Sequence, residues 1–208
     1  MSCFNFYITA GFIMKIELEI YCIMDITNIM NNGTLNKRIL REIESGYKSN
    51  EFQFMLDADG QYGDKNICYL KFSVKTGTYS DQIHVLKIKF MYDDSQPYVF
   101  PKDPPNVTFM TPIFHTNISE TGAICLDILN DKWSPFYGIE TIFNSIICLL
   151  DDPNTNSPFN SLASKLYTQH INNIEAYKTI CQKIYREKIK SCDIGNILLN
   201  SKEYSLAK

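Results

Sequence analysis

The residues best suited to chemistry lie close together, between Phe114 and Pro135. The segment "FHTNISETGAICLDILNDKWSP" contains His115, Asn117, Cys125 and Trp133, the only tryptophan of the chain. A cysteine can act as a nucleophile, bind a metal or fill a core as a small apolar side chain. The segment has no clean helical or strand period, and long irregular segments inside a domain are usually functional.

Each simple interpretation of Cys125 has a weakness or a rival. Only His115 is near it as a second metal ligand, and two ligands do not close a zinc site. A Cys-His-Asn protease uses the same three residue types. Here, however, they fall within eleven residues, whereas such triads join distant segments. A cysteine beside apolar residues is most often buried core, so composition alone leaves these alternatives open.

The same segment resembles the active-site signature of the ubiquitin-conjugating enzymes. That signature is His-Pro-Asn, a cysteine ten residues after the histidine within Gly-x-Ile/Val-Cys-Leu, and a tryptophan eight residues later near Ser-Pro. The chain has "HTN" at His115, "GAICLDIL" around Cys125 and "WSP" at Trp133, with both spacings preserved. Thr116 replaces the signature proline and removes one rigid φ restraint. The segments "KRILRE", "FPKDPP" and "LLDDPNTNSPFN" extend the resemblance over residues 34–190.

The resemblance implies a transferase that needs no cofactor. Cys125 would accept ubiquitin, or a ubiquitin-like protein such as SUMO, as a thioester from an activating enzyme and pass it to a substrate lysine or a ligase. A thioester is reactive enough that the protein mainly positions and desolvates the reactants. Asn117 would stabilise the oxyanion or order the active-site loop. The alternative is a non-catalytic scaffold of the same fold, although such scaffolds lack the cysteine.

Four further residues are implied to support the active site. His115 would tie down the loop, and Trp133 would pack beneath it and shape the surface that faces the ligase. Ser157, in the same segment as Asp152, falls where many family members carry an acid near the incoming lysine. An acid there would orient or deprotonate the amine, and phosphorylation of Ser157 would restore the negative charge.

The resemblance also implies partner-binding residues on the first helix and on two loops. The helix would contact the activating enzyme and some ligases, and the loops would contact RING-type ligases, with HECT-type ligases and substrate proteins as further partners. Lys102 departs from the apolar residue common at its position. The six residues are Lys37, Arg38, Arg41, Lys102, Pro135 and Phe136.

The elements that position these residues follow from hydrophobic periodicity. Alternating runs in "FQFMLDA", "ICYLKFSV" and "IHVLKIKF", followed by "NVTFM", predict four strands, and their short connections predict an antiparallel meander. The i, i+3, i+4 stripe of "GIETIFNSIICLLDDPN" predicts a central helix packed on the sheet. With an amphipathic N-terminal helix and two C-terminal helices, near residues 161–167 and 171–190, this is an α+β fold of the ubiquitin-conjugating type.

Composition bounds the domain organisation and the partners. We predict a core over residues 34–190, an N-terminal extension over 1–33 that is disordered or a targeting signal, and a tail over 191–208. The net charge of −3 offers no field that favours nucleic acid or anionic membrane, and we expect no stable membrane insertion. Seven cysteines without a C-x-x-C pair predict a reducing compartment and no metal, which places the protein in the cytoplasm or nucleus unless residues 1–33 direct it elsewhere.

Overall fold

The sheet is antiparallel throughout and gains a strand that the sequence did not predict. The computed structural model describes residues 37–56, 67–80, 82–91, 99–192 and 202–203; the predicted extension over 1–33 lies outside them. The predicted four-stranded meander is confirmed, and a two-residue strand from the tail pairs with its edge, giving the order β4-β3-β2-β1-β5. The strands are β1 Gln53–Leu56, β2 Ile67–Ser73, β3 Ile83–Lys89, β4 Asn106–Phe109 and β5 Lys202–Glu203.

The predicted helices are present, with ends set by local capping. Asn160 and Asn173 cap two of them, since each side-chain oxygen accepts a hydrogen bond from a main-chain N–H in the first turn. None of the helices in the described ranges is long and apolar enough to cross a membrane. The helices are α1 Lys37–Lys48, α2 Ile139–Asp151, α3 Ser161–Gln169 and α4 Ile174–Lys188, with short 3-10 turns at Asp127–Leu129 and Ile189–Ser191.

The main core lies between the inner sheet face and the helices. The alternating positions predicted to face inward on β2 and β3 are buried, as is the stripe of α2. The Phe143 ring on α2 lies 4.8 Å from that of Phe52 and 5.1 Å from that of Phe72. Each such side chain contributes about 1.5–3 kcal/mol when fully buried. The central helix is therefore fixed on the sheet, and with it the loops at both its ends.

The opposite face of the sheet is also partly covered. Met55, Ile67, Tyr69 and Val85 point away from the main core, yet all are buried and form a second cluster. Ile189 and Cys192 pack against this cluster from the segment after α4. The residues that follow α4 thus contribute to the packing of the sheet.

Candidate active site

A tight hairpin brings Asn117 and Cys125 opposite each other. The Cys125 N–H donates to the Asn117 carbonyl at 2.8 Å, and the Gly122 N–H closes the turn on the Ser119 carbonyl at 3.0 Å. Gly122 has a φ of +83°, and a Cβ there would collide with the carbonyl oxygen of Phe109. Only glycine meets both demands without strain, so Gly122 fixes the register of the hairpin.

The Asn117 carboxamide is buried and fully engaged by the loop that follows α2. Its Nδ2 donates to the carbonyls of Asn154 at 2.8 Å and Ser157 at 3.2 Å. Its Oδ1 accepts from the Asn154 N–H at 2.8 Å. One side chain therefore holds the loop at two places, which is the loop-ordering role that the resemblance offered as one of two alternatives.

This loop, residues 152–160, brings Ser157 beside the cysteine. The Cys125 Sγ lies 4.0 Å from the Ser157 Oγ, and the thiol is half-buried while Ser157 is exposed. Asp152 begins the loop with an exposed side chain, and its N–H caps α2 by donating to the Cys148 carbonyl at 2.9 Å. The sulfur is therefore partly exposed and has a hydroxyl as its polar neighbour.

His115 is held in one neutral tautomer by the main chain. Its Nδ1 accepts from the Asn117 N–H at 2.9 Å, so Nε2 carries the proton and donates to the Leu149 carbonyl at 2.9 Å. Burial lowers the pKa of His115 to about 4, although the Leu149 bond acts in the opposite direction. With both nitrogens engaged, His115 can neither bind a metal nor take a proton from Cys125.

Thr116 anchors the far end of the same loop. Its carbonyl accepts from the Phe159 N–H at 2.9 Å and the Asn160 N–H at 3.0 Å. Its hydroxyl is buried and has no hydrogen-bond partner among the described residues. An unpaired buried hydroxyl costs about 1–3 kcal/mol, so the residue that replaces the signature proline carries a local penalty.

Trp133 ties the segment after the cysteine to the proline-rich loop. Its Nε1 donates to the Pro101 carbonyl at 2.9 Å, and its ring lies 6.0 Å from the Phe100 ring and 5.9 Å from the Tyr137 ring. The indole is half-buried in this contact. It thus packs under the surface that carries Lys102 and Phe136.

The predicted partner-binding residues differ in exposure. Lys37, Arg41, Lys102 and Pro135 are exposed, and the Phe136 side chain stands clear of the surface at 91% exposure. Arg38 does not follow the expectation of a free basic helix face. It donates to main-chain carbonyls of residues 135–137 and pairs with Glu42.

The neighbours of Cys125 bear on whether it could be a metal ligand or a protease nucleophile. Among the described residues, no group of three or more His, Cys, Asp or Glu side chains is placed to hold a metal ion. His115 is not available to the thiol as a base, because both of its ring nitrogens are occupied. The partly exposed Cys125 sulfur lies between the hairpin that carries it and the loop that carries Ser157.

The described structure is a central helix on an antiparallel sheet, with a half-exposed cysteine on a hairpin beside it. A family model described as "Ubiquitin-conjugating enzyme" matches residues 38–185, and the chain belongs to that family. Its sequence is 51% identical over 71 residues to "Ubiquitin-conjugating enzyme E2 1" of Caenorhabditis elegans, a match that covers 34% of this chain and 37% of that protein.

A solved structure shares the fold. It is the E2 domain of a ubiquitin-conjugating enzyme from Toxoplasma gondii, with a TM-score of 0.58 and 28% sequence identity. The match covers 72% of this chain and 95% of that chain. The predicted family and fold class are therefore confirmed.

Three contributors to the site escaped the sequence analysis. The Asn154 main chain is the principal partner of Asn117, but nothing in "DPNTN" indicates which side chain its backbone meets. The Thr116 carbonyl holds the loop through its main chain, which residue type does not reveal. Glu42 had a visible signal, since it follows Arg38 by four residues, the spacing of a helical ion pair.

Proposed function

We propose that this protein is a ubiquitin-conjugating enzyme that carries ubiquitin as a thioester on Cys125. In loading, the Cys125 sulfur attacks the carbonyl carbon of the thioester held by an activating enzyme, whose own thiol leaves. In discharge, a lysine amine attacks the same carbonyl, an isopeptide bond forms and the Cys125 thiolate leaves. Discharge to a ligase cysteine would exchange one thioester for another.

One observation carries this proposal: the half-buried Cys125 thiol on a hairpin, within a family match that spans the site. Loading requires that a bulky thioester reach the sulfur, and the thiol is open to solvent. A fully buried thiol is inert. Cys68 is such a thiol, because burial raises its pKa. The contrast between these two cysteines supports Cys125 as the acceptor.

Asn117 and Ser157 would act in discharge. Asn117 positions the loop, and its Ser157 hydroxyl lies 4.0 Å from the sulfur that an arriving amine must approach. His115 would support the hairpin, because it bonds to the Asn117 N–H and to the Leu149 carbonyl of α2. Asp152 supports the start of the loop at the α2 cap, and Trp133 supports the segment after the cysteine by its bond to the proline-rich loop.

The partners follow from the same proposal. The exposed Lys37 and Arg41 would contact the activating enzyme, and Pro135, Phe136 and Lys102 would contact a ligase of the RING type. The described cysteines are all free, which supports a reducing compartment, the cytoplasm or the nucleus.

A loading assay tests the proposal and the identity of the modifier together. The protein is incubated with ATP and either ubiquitin with its activating enzyme or SUMO with its own, then run on gels with and without thiol reductant. We expect an adduct with ubiquitin that the reductant removes. An adduct with SUMO alone would mean that SUMO is the modifier that the protein carries. If neither adduct forms, the alternative of a non-catalytic scaffold would be favoured.

A further inference from the structure

Arg38 on α1 turns toward a loop almost a hundred residues further along the chain. Its Nη1 donates to the Pro135 carbonyl at 2.9 Å, and its Nη2 donates to the carbonyls of Tyr137 at 3.0 Å and Phe136 at 3.4 Å. Only 26% of its side chain is exposed. A planar guanidinium can serve several acceptors at once, which a lysine ammonium does with less precision.

Glu42 fixes the guanidinium and the start of α2 at the same time. Its Oε1 accepts from the Arg38 Nε at 2.7 Å, and its Oε2 accepts from the Ile139 N–H at 2.8 Å. A Cβ on Gly138 would collide with this carboxylate, so the backbone passes directly over it. The pair therefore clamps the whole passage from Pro135 to the first turn of α2.

The clamp also reaches the proline-rich loop. The Arg38 guanidinium carbon lies 5.7 Å from the centre of the Phe100 ring, within the range of a cation–π contact. Phe100 packs on Trp133, which bonds to Pro101. One partly buried cation thus contacts both of the loops that expose Lys102 and Phe136.

We infer that Arg38 is a positioning residue that holds the Pro135–Tyr137 loop, and so presents Phe136 to a protein partner, and that it is not a contact for the activating enzyme. The inference rests on the proposed function for the identity of the partners. The resemblance implied that three basic residues contact the activating enzyme. In this inference Lys37 and Arg41 keep that contact, whereas Arg38 holds the loop. Hydrogen bonds from a charged donor are about twice as strong as neutral ones, which suits a clamp on a loop.

Hydrogen exchange of the full chain, followed by mass spectrometry, tests the clamp without any partner. In Arg38→Ala we expect exchange in the peptide covering residues 134–138 to rise about tenfold, since local opening is governed by the contacts that hold the segment. Exchange in the 117–125 hairpin stays unchanged. In Arg38→Lys we expect exchange at 134–138 between that of the native protein and that of Arg38→Ala, and this variant keeps the inference testable if the alanine variant does not fold. Lys37→Ala is the matched control on the same helix.

Loading kinetics separate positioning from contact. The concentration of this protein is varied at a fixed amount of ubiquitin-activating enzyme, which gives the KM of the activating enzyme for each variant. Arg38→Ala should keep this KM within about twofold of the value for the native protein. Arg41→Ala should raise it, because rim charges act on partner encounter. Unchanged exchange at 134–138 in Arg38→Ala, or a KM raised as far as in Arg41→Ala, would overturn the inference. If the native protein takes no ubiquitin, the proposed function fails, and the exchange measurement still decides whether Arg38 holds the loop.

Discussion

The side-chain amide of Asn117 exchanges two hydrogen bonds with the main chain of Asn154, each 2.8 Å long. A third bond reaches the Ser157 carbonyl, so both amide hydrogens and the amide oxygen are in use. An oxyanion at the thioester would have to displace one of these carbonyls to gain the amide as a donor. The geometry therefore favours Asn117 as the residue that keeps Ser157 beside Cys125.

Replacing Asn117 with Ala should slow discharge to free lysine about tenfold to a hundredfold, because a misplaced reactant costs rates of this order. Loading should change far less, since it needs only access to the sulfur. Single-turnover rates of the two steps, followed on non-reducing gels, give the comparison. Thr155→Ala is the control, because it changes an exposed side chain of the same loop. Equal losses in both steps would show that Asn117 has only a general structural role and does not act on discharge through the position of Ser157.

A carboxylate in place of the Ser157 hydroxyl should have opposite effects on the two steps. Ser157→Asp should speed discharge to lysine by less than the roughly hundredfold that a well-positioned acid–base group contributes, because it orients the amine and accepts its proton. The same charge disfavours the Cys125 thiolate and should slow loading at pH 7. Ser157→Asn introduces a side chain of the same size as aspartate without its charge and should reproduce neither effect. Matching results for Asp and Asn would refute the electrostatic explanation.

Removal of the unpaired Thr116 hydroxyl should stabilise the protein. Thr116→Val keeps the shape of the side chain and deletes a buried oxygen without a partner, so we expect the free energy of unfolding to rise by about 1 kcal/mol. Urea denaturation measures the change, and Thr116→Ser, which keeps the hydroxyl, should show no gain. A loss of stability in the valine variant would mean that the hydroxyl has a partner, such as a bound water.

Stability should fall as the pH falls from about 6.5 toward 4. Burial lowers the pKa values of His84 and His115 to about 4, so the unfolded chain binds more protons than the folded one in this window, and stability rises with pH. The full contribution is present above the unfolded pKa. Each histidine can contribute about 3 kcal/mol.

Urea denaturation from pH 8 to pH 4 checks this dependence. His84 lies among the rings of Phe72, Phe109 and Tyr185, and His84→Leu should remove about half of the pH-dependent loss and leave the rest to His115. A native protein whose unfolding free energy stays flat over this range would show that neither imidazole resists protonation.

Much of the fold was predictable because burial repeats locally along the sequence. The inward residues of β2 and β3 alternate, and the stripe of α2 returns every three or four positions, so each element reveals its buried face by itself. The coverage of Met55 and Val85 on the opposite face was not predictable in this way. It depends on residues after α4, which the local pattern of the strands does not record.

The same distinction between local pattern and tertiary contact applies to the site. The spacing of His115, Asn117 and Cys125 is a local property, and the sequence therefore located the segment that carries them, although it did not indicate that this segment forms a hairpin. Arg38 has the same residue type as its neighbour Arg41 and was assigned the same solvent-facing role. Only tertiary contact with a loop 97 residues away distinguishes them, and no periodicity encodes that contact.

The most direct test is to find which sulfur carries the modifier. Native protein, Cys125→Ala and Cys148→Ala, the last removing an exposed cysteine on α2, are loaded with ubiquitin, and their intact masses are compared before and after thiol treatment. We predict one ubiquitin, released by thiol, on the native protein and on Cys148→Ala, and none on Cys125→Ala. A thiol-labile ubiquitin that persists on Cys125→Ala, or native protein that stays unloaded, would contradict the assignment of Cys125 as the acceptor.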